Sequence, residues 1–169
     1  MIARTNPNEA ELGAAVSAAA SSVLETMFFA EVEVCPPLSA DQQRGMLGVL
    51  VRFDGGVRGE FLIGIDPHVA AVLASAFLGV DESDVAEAEI AQVMCETANM
   101  ICGAALSRLE SEDHMRLDMP ELADAAAQFA TGSFLQEFFV TPNGNICTGV
   151  RVHSWLSPNL ITDSASNLR

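Results

Sequence analysis

Basic residues are scarce in this chain, which has eight Lys and Arg against 23 Asp and Glu and a formal net charge of −15. A charge of this sign and size repels the phosphate backbone of nucleic acids. Long apolar runs are missing as well: residues 13–23 are rich in Ala and Ser, whereas a bilayer span needs about 20 strongly apolar residues. Residues 1–7 lack the form of a secretory signal. We therefore expect a cytoplasmic protein with no nucleic-acid partner and no membrane insertion.

Cysteine and histidine are also few and scattered. The four cysteines form no CxxC pair and have no flanking His: Cys35, Cys95, Cys102 and Cys147. The three histidines share no spacing typical of metal ligands: His68, His114 and His153. We therefore predict structural thiols, and no metal or cofactor bound by this chain itself.

The 169 residues, half of them hydrophobic, suffice for one ordinary domain, which we place at residues 8–156 between loosely ordered termini at 1–7 and 157–169. Helical spacing of apolar residues predicts a first helix to about Phe29, capped by Asn6 or Asn8, and a long third helix from about Val85 to Glu110. A short second helix is predicted between them, with Asp66 as its cap, Pro67 at its start and Gly79 at its end.

Strand-like runs surround these helices. Val32–Val34 predicts a short strand that stops at Pro36 and Pro37. Two hairpins are predicted around glycine-containing turns, at 46–53 with 57–65 and at 132–141 with 145–155. Residues 114–122 are predicted to be irregular around Pro120. A long helix followed by strands thus occurs twice, and laying Glu25 on Glu96 places Phe28 over Asn99.

The third helix carries a polar stripe. At 100° per residue, five residues fall within an arc of roughly 80°: Glu89, Gln92, Glu96, Asn99 and Gly103. The simplest interpretation is a solvated helix face. However, Asn competes with the helix backbone, and Gly costs about 1 kcal/mol relative to Ala, so Asn99 and Gly103 point to a surface that another molecule approaches closely.

An acid and an amide one turn apart can dock a partner and fix a water molecule. Phosphoryl transfer depends mostly on positioning and electrostatics, and an amide suits the alignment of an attacking water. We therefore predict Asn99 as the water-positioning residue and Glu96 as the anchor for a cation on the partner. Ser107 with His114 is the alternative nucleophile and base pair near the stripe, and the sequence does not favour it.

Glu96-Thr97-Ala98-Asn99, followed by Met100-Ile101-Cys102-Gly103, resembles the Glu-x-x-Asn helix of the CheC, CheX and FliY chemotaxis phosphatases. The resemblance extends over most of residues 12–155. A single Glu-x-x-Asn helix favours CheX over the two-site CheC. The chain departs from the family pattern at Gln92, where Asp or Ser is common.

The resemblance implies an α+β domain in which long helices pack on an antiparallel sheet, with a pseudo-repeated helix-plus-hairpin organisation. It implies hydrolysis of the aspartyl phosphate of a CheY-like response regulator, with Asn99 orienting water and Glu96 pairing with a lysine of the regulator. It also implies a homodimer, and Mg²⁺ held by the regulator.

Two other functions remain open at the level of sequence. Gln92 leaves room for a non-catalytic adaptor that binds a receiver domain or a flagellar switch component without hydrolysis. The alanine-rich first helix leaves room for a structural oligomerisation protein.

Overall fold

A computed structural model describes residues 9–109 and 115–155. Five α-helices lie in these ranges: α1 Glu9–Met27, α2 Ala40–Gln43, α3 Pro67–Leu78, α4 Glu87–Ser107 and α5 Ala125–Phe129. A 3₁₀ turn at Glu82–Asp84 joins α3 to α4. Several predictions fall outside the described residues: the caps Asn6 and Asn8, the two terminal segments, the end of the third helix at Glu110, and His114.

Seven strands form one antiparallel sheet within the described residues: β1 Glu33–Val34, β2 Leu47–Asp54, β3 Val57–Ile65, β4 Arg116–Leu117, β5 Glu121–Asp124, β6 Leu135–Thr141 and β7 Gly144–Trp155. The strand order is β1-β6-β7-β3-β2, with β4 and β5 pairing to successive stretches of β2 at the far edge. The predicted α+β fold is therefore confirmed, and so are both hairpins, β2–β3 and β6–β7.

The core is a layer of helices on one face of the sheet. Alternate residues of β3, such as Phe61 and Ile63, point towards the helices, because successive side chains of a strand point to opposite faces. They pack with Leu24 of α1, Leu73 of α3 and the buried side of α4. The opposite face carries a smaller apolar cluster under α5: Met46, Leu50, Leu62, Ala125, Phe129, Phe134 and Cys147.

Residues 115–122 correct one prediction. They are not simply irregular, since β4 and β5 both lie in this part of the chain and pair with β2. Pro120 lies between these two strands, where its missing amide hydrogen costs no ladder hydrogen bond. The short helices α2 and α5 were not predicted either, because four or five residues are too few to show a helical period.

Asp66 corrects a second prediction, although α3 begins at Pro67 and ends before Gly79, whose φ of 68° favours glycine. Asp66 makes no side-chain capping bond to α3. Instead its Oδ2 accepts a hydrogen bond from the backbone N–H of Asn145 at 2.7 Å. Asp66 therefore ties the start of α3 to the β6–β7 turn.

Candidate functional site

The long helix α4 is held in place by its own capping contacts and by one apolar side. The backbone N–H of Ala86 donates to Oε2 of Glu89 at 2.8 Å, which satisfies one donor at the helix start. Met94, Ala98 and Ile101 are fully buried against the core. Thr97 is also buried, and its hydroxyl donates to the carbonyl of Val93 at 2.7 Å. The remaining side of α4 is left for the polar stripe.

The structure places all five predicted stripe residues on one side of α4, which we call the α4 ridge: Glu89, Gln92, Glu96, Asn99 and Gly103. The first three are exposed, and Asn99 and Gly103 are half-buried. Glu89 is engaged in capping its own helix, so it is less available to a partner than Glu96. Three polar side chains of the α4 ridge are therefore left available to a partner: Gln92, Glu96 and Asn99.

Asn99 has an unusual environment for a helical amide. Its Oδ1 is buried and accepts no hydrogen bond from any described residue. An unpaired buried acceptor costs about 1–3 kcal/mol, so native proteins rarely retain one without a reason. Asn99 therefore carries unused hydrogen-bonding capacity at the centre of the ridge.

Gly103 lies one turn beyond Asn99 and faces β4. A Cβ placed on Gly103 would meet only Cδ1 of Leu117, at 3.7 Å, which is an ordinary van der Waals contact. The fold itself would therefore accept Ala at this position. The missing side chain therefore leaves space at this end of the ridge, one helical turn from Asn99.

Glu96 is an exposed carboxylate that forms no ion pair with any described residue. Its own helix cannot neutralise it, because no Lys or Arg occurs between residues 59 and 107, and none occurs in α1. The acids of α1 and α4 are therefore not offset by any Lys or Arg within α1, α3 or α4. Glu96 is available to a cation supplied from outside the chain.

The first copy of the apparent repeat lacks this chemistry. Glu25 is exposed near the end of α1, as Glu96 is on α4. Phe28, which occupies the position of Asn99, is buried and packs against Phe77 with 5.6 Å between ring centroids. One copy therefore presents an acid and an amide, whereas the other places a core residue at the same point.

Sequence reasoning missed a charge ladder on the face of the sheet away from the helices. Arg52, Glu60 and Arg151 lie directly opposite one another on β2, β3 and β7. Glu60 accepts from Nε of Arg151 at 2.8 Å and lies 3.4 Å from Nε of Arg52 and 3.2 Å from Nε2 of His153. Strand register creates this cluster, so spacing along the chain gave no signal for it.

Burial raises the pKa of Glu60, but hydrogen bonds and charge from Arg151, together with His153, outweigh burial and hold the pKa below its usual value. The same face buries Cys147, and the helix layer buries Cys102. Burial raises the pKa of both thiols to about 12. All four cysteines are free, so both buried ones remain protonated packing residues.

Within 9–109 and 115–155, no group of three or more His, Cys, Asp or Glu could hold a metal ion. Over the same residues, none of the helices is both long enough and apolar enough to cross a bilayer.

Comparison with known proteins gives an independent view of this domain. The model of the family described as "Chemotaxis phosphatase CheX" matches residues 47–138, more than half of the chain. Among curated proteins, none matches the chain in sequence.

Solved structures resemble the whole fold. The chemotaxis protein CheX from Vibrio vulnificus has a TM-score of 0.68 at 21% identity, covering 86% of this chain and 99% of that one. A CheX-CheY-BeF3-Mg complex from Borrelia burgdorferi has a TM-score of 0.65 at 20% identity, with coverage of 83% and 97%. FliY from Thermotoga maritima is more distant, with a TM-score of 0.53 at 14% identity, and 88% and 93% of the chains covered.

These structures share one fold with this chain, a layer of helices on an antiparallel sheet. That fold and the family match together define a domain of the chemotaxis-phosphatase class. This chain belongs to the CheX family of chemotaxis phosphatases.

Proposed function

We propose that this chain hydrolyses the aspartyl phosphate of a CheY-like response regulator, using Glu96 and Asn99 of α4. The observation that carries the proposal is the pair itself: among the described residues, an exposed carboxylate without an ion pair lies one helical turn from an amide whose Oδ1 has no hydrogen-bond partner. Membership in a phosphatase family makes phosphoryl hydrolysis the reaction that such a pair would serve.

Glu96 acts as the anchor in this proposal. Its carboxylate meets a lysine of the receiver in a charge-assisted contact, which sets the position of α4 along the partner. The absence of Lys and Arg from the surrounding helices leaves this carboxylate without an internal competitor. Glu96 therefore contributes mainly to docking and register.

Asn99 acts on the water. In the structure its Oδ1 is buried, so a half-turn about the broad terminal torsion of Asn first exchanges Oδ1 with the NH₂ group and brings Oδ1 to the ridge surface. Oδ1 then accepts a hydrogen bond from the attacking water and aligns the water oxygen with phosphorus. The new bond forms between water oxygen and phosphorus, while the bond from phosphorus to the aspartyl oxygen breaks and its electron pair returns to the carboxylate. Of the two protons of the attacking water, one stays on the oxygen now bound to phosphorus, and the other passes to solvent or to another oxygen of the released phosphate.

Three further points follow from the resemblance and remain part of the proposal. Mg²⁺ belongs to the receiver, so this chain contributes no metal ligand. The functional unit is a homodimer, which sedimentation velocity of the purified chain would test. The working location is the cytoplasm, where receiver domains are available.

The experiment follows the decay of aspartyl phosphate on CheY-like receivers of the same organism, phosphorylated with acetyl phosphate. Wild type, Glu96→Ala and Asn99→Ala are compared, and binding to each receiver is measured in parallel. We expect wild type to accelerate decay, Asn99→Ala to lose on the order of 100-fold in rate with binding largely kept, and Glu96→Ala to lose binding.

A non-catalytic adaptor is the second candidate, and Gln92 favours it, because the exposed stripe carries an amide where the family commonly has Asp or Ser. An adaptor would bind the receiver, or a flagellar switch component, and leave the lifetime of the phosphoryl group unchanged. Receiver binding by wild type without faster decay would support the adaptor and reject the phosphatase.

A further inference from the structure

The edge segment, residues 116–124, runs beside α4 on the outer side of the sheet. Leu117 of β4 lies next to Gly103, and β5 also contacts α4. Because β4 pairs with residues 53–54 of β2 and β5 pairs with residues 47–50, the segment follows the free edge of the sheet. The edge segment and the α4 ridge are therefore neighbours along one side of the molecule.

Two large apolar side chains of the edge segment are left uncovered. Met119 is 86% exposed and Leu122 is 58% exposed. Leu122 is paired with Val49, which is fully buried under the helix layer, and paired residues of adjacent strands point to the same face. Leu122 thus projects from the same face of the sheet that α4 packs against, but α4 does not bury it.

The α4 ridge has no apolar anchor of its own. Its residues are acids, amides and a glycine. Protein interfaces commonly combine a polar rim with a few desolvated apolar residues that contribute most of the affinity. On the side where Gly103 faces Leu117, Met119 and Leu122 are the neighbouring exposed side chains able to serve as such residues among those the structure describes.

We propose that Met119 and Leu122 form a second, apolar contact for the same receiver domain that engages Glu96 and Asn99. This inference rests on the proposed function, because it takes the receiver as the occupant of the ridge. Its basis is continuity: the exposed pair lies along the flank of α4 where Gly103 leaves space. The carboxylate and amide give register and chemistry, and the apolar pair gives affinity that is insensitive to salt.

The variant that tests this contact is Met119→Ser combined with Leu122→Ser. Both positions are exposed, so the fold should persist, which urea unfolding would verify. The control is Val34→Ser with Val140→Ser, a smaller exposed apolar pair on β1 and β6, at the opposite end of the sheet. Receivers phosphorylated with acetyl phosphate serve as the probe, and both Kd and the full dependence of decay rate on receiver concentration are measured.

We expect the edge variant to raise Kd and KM about 10-fold with kcat unchanged, and the control pair to leave all three unchanged. Equal KM for wild type and the edge variant, with wild type active, would overturn the apolar contact and leave the phosphatase intact. Equal KM increases in both variants would overturn it as well. Sedimentation velocity of the edge variant should match wild type; a change in its oligomeric state would overturn the receiver contact, because the edge would then join two copies of this chain.

The outcome also separates this inference from the proposed function. If wild type binds without accelerating decay, catalysis fails, and a weaker Kd in the edge variant alone still supports the contact. If wild type neither binds nor accelerates decay, both proposals are rejected.

Discussion

Asn99 is the residue at which stability and function are expected to conflict. Its buried Oδ1 has no hydrogen-bond partner among the described residues, an arrangement expected to cost stability, while its amide is the group proposed to align water. A residue kept for folding alone would find a partner or be apolar at this point. The conflict makes the role of Asn99 measurable without any partner protein.

Replacing Asn99 by Ala should raise the free energy of unfolding by about 1 kcal/mol, because the unpaired acceptor is lost and Ala is the better helix former. Urea unfolding of the purified chain measures this change. Glu96→Ala is the adjacent control, and as an exposed substitution it should stay within about 0.5 kcal/mol of wild type.

Thr148 provides a second control away from the ridge. Its Oγ1 is also buried without a hydrogen-bond partner among the described residues, so Thr148→Val should likewise increase stability. Phosphatase activity should survive in Thr148→Val and fall in Asn99→Ala. A loss of stability in Asn99→Ala would show that its amide supports the fold.

At the scale of elements, α4 is shaped for close approach at Gly103. The neighbouring Leu117 leaves room for a Cβ, so the glycine is not required by packing within the chain. Helix propensity favours Ala over Gly by about 1 kcal/mol. A position that weakens its own helix without a packing reason is consistent with contact to another molecule.

Gly103→Ala should therefore raise the free energy of unfolding by about 1 kcal/mol and also raise KM for the phosphorylated receiver. Urea unfolding and steady-state dephosphorylation give the two values. A more stable variant with unchanged KM would show that the receiver does not approach α4 at this residue.

Long elements could be predicted from the sequence, and short ones could not. α1 and α4 repeat their apolar residues over several turns, and both hairpins have turn residues between alternating strands, so local patterns sufficed. β4 is two residues long, and it is a strand because β2 leaves an edge to pair with. Asp66 had the right type for a cap, but tertiary contact with Asn145 determined its hydrogen bond.

The candidate site, too, could be predicted from the sequence only in part. The angular positions of Glu96 and Asn99 follow from helix geometry, so sequence alone could place them on one ridge. The unpaired state of Oδ1 and the proximity of Gly103 to Leu117 depend on the packing of α4 beside the sheet edge. Met119 and Leu122 gave no sequence signal, because their importance depends on which residues α4 leaves uncovered.

The whole molecule separates its charges between two faces. The helix layer contains acids without Lys or Arg, whereas Arg52, Arg58 and Arg151 come from the sheet and pair with acids there. These arginines of the sheet are thus engaged by acids of the sheet, whereas the acids of α1 and α4 have no Lys or Arg in their own helices. This arrangement favours approach of a positively charged partner surface to the helices.

Glu60 should make stability depend on acid pH. Its pKa is lowered on folding, so its stabilising contribution is complete above the unfolded value of about 4.3 and disappears as pH falls through the lower folded pKa. Glu60→Gln should lower the free energy of unfolding by about 2 kcal/mol at pH 7. The difference from wild type should become smaller below about pH 4. Urea unfolding across pH measures it.

Glu31→Gln is the control for Glu60→Gln, because Glu31 is exposed and has no ion pair within the described residues. The free energy of unfolding of Glu31→Gln should stay close to that of wild type at any pH. The difference in the free energy of unfolding between wild type and Glu60→Gln could instead stay constant from pH 7 to pH 3. That result would contradict a stabilising ion pair between Glu60 and Arg151.

The most direct test of the account is single-turnover decay of a phosphorylated CheY-like receiver under a saturating excess of this chain, with wild type and Asn99→Ala compared. Saturation removes differences in binding, so the rate reports the chemical step alone. We predict that decay slows on the order of 100-fold in Asn99→Ala, in a variant at least as stable as wild type. Equal single-turnover rates in the two proteins would contradict the assignment of Asn99 to the attacking water.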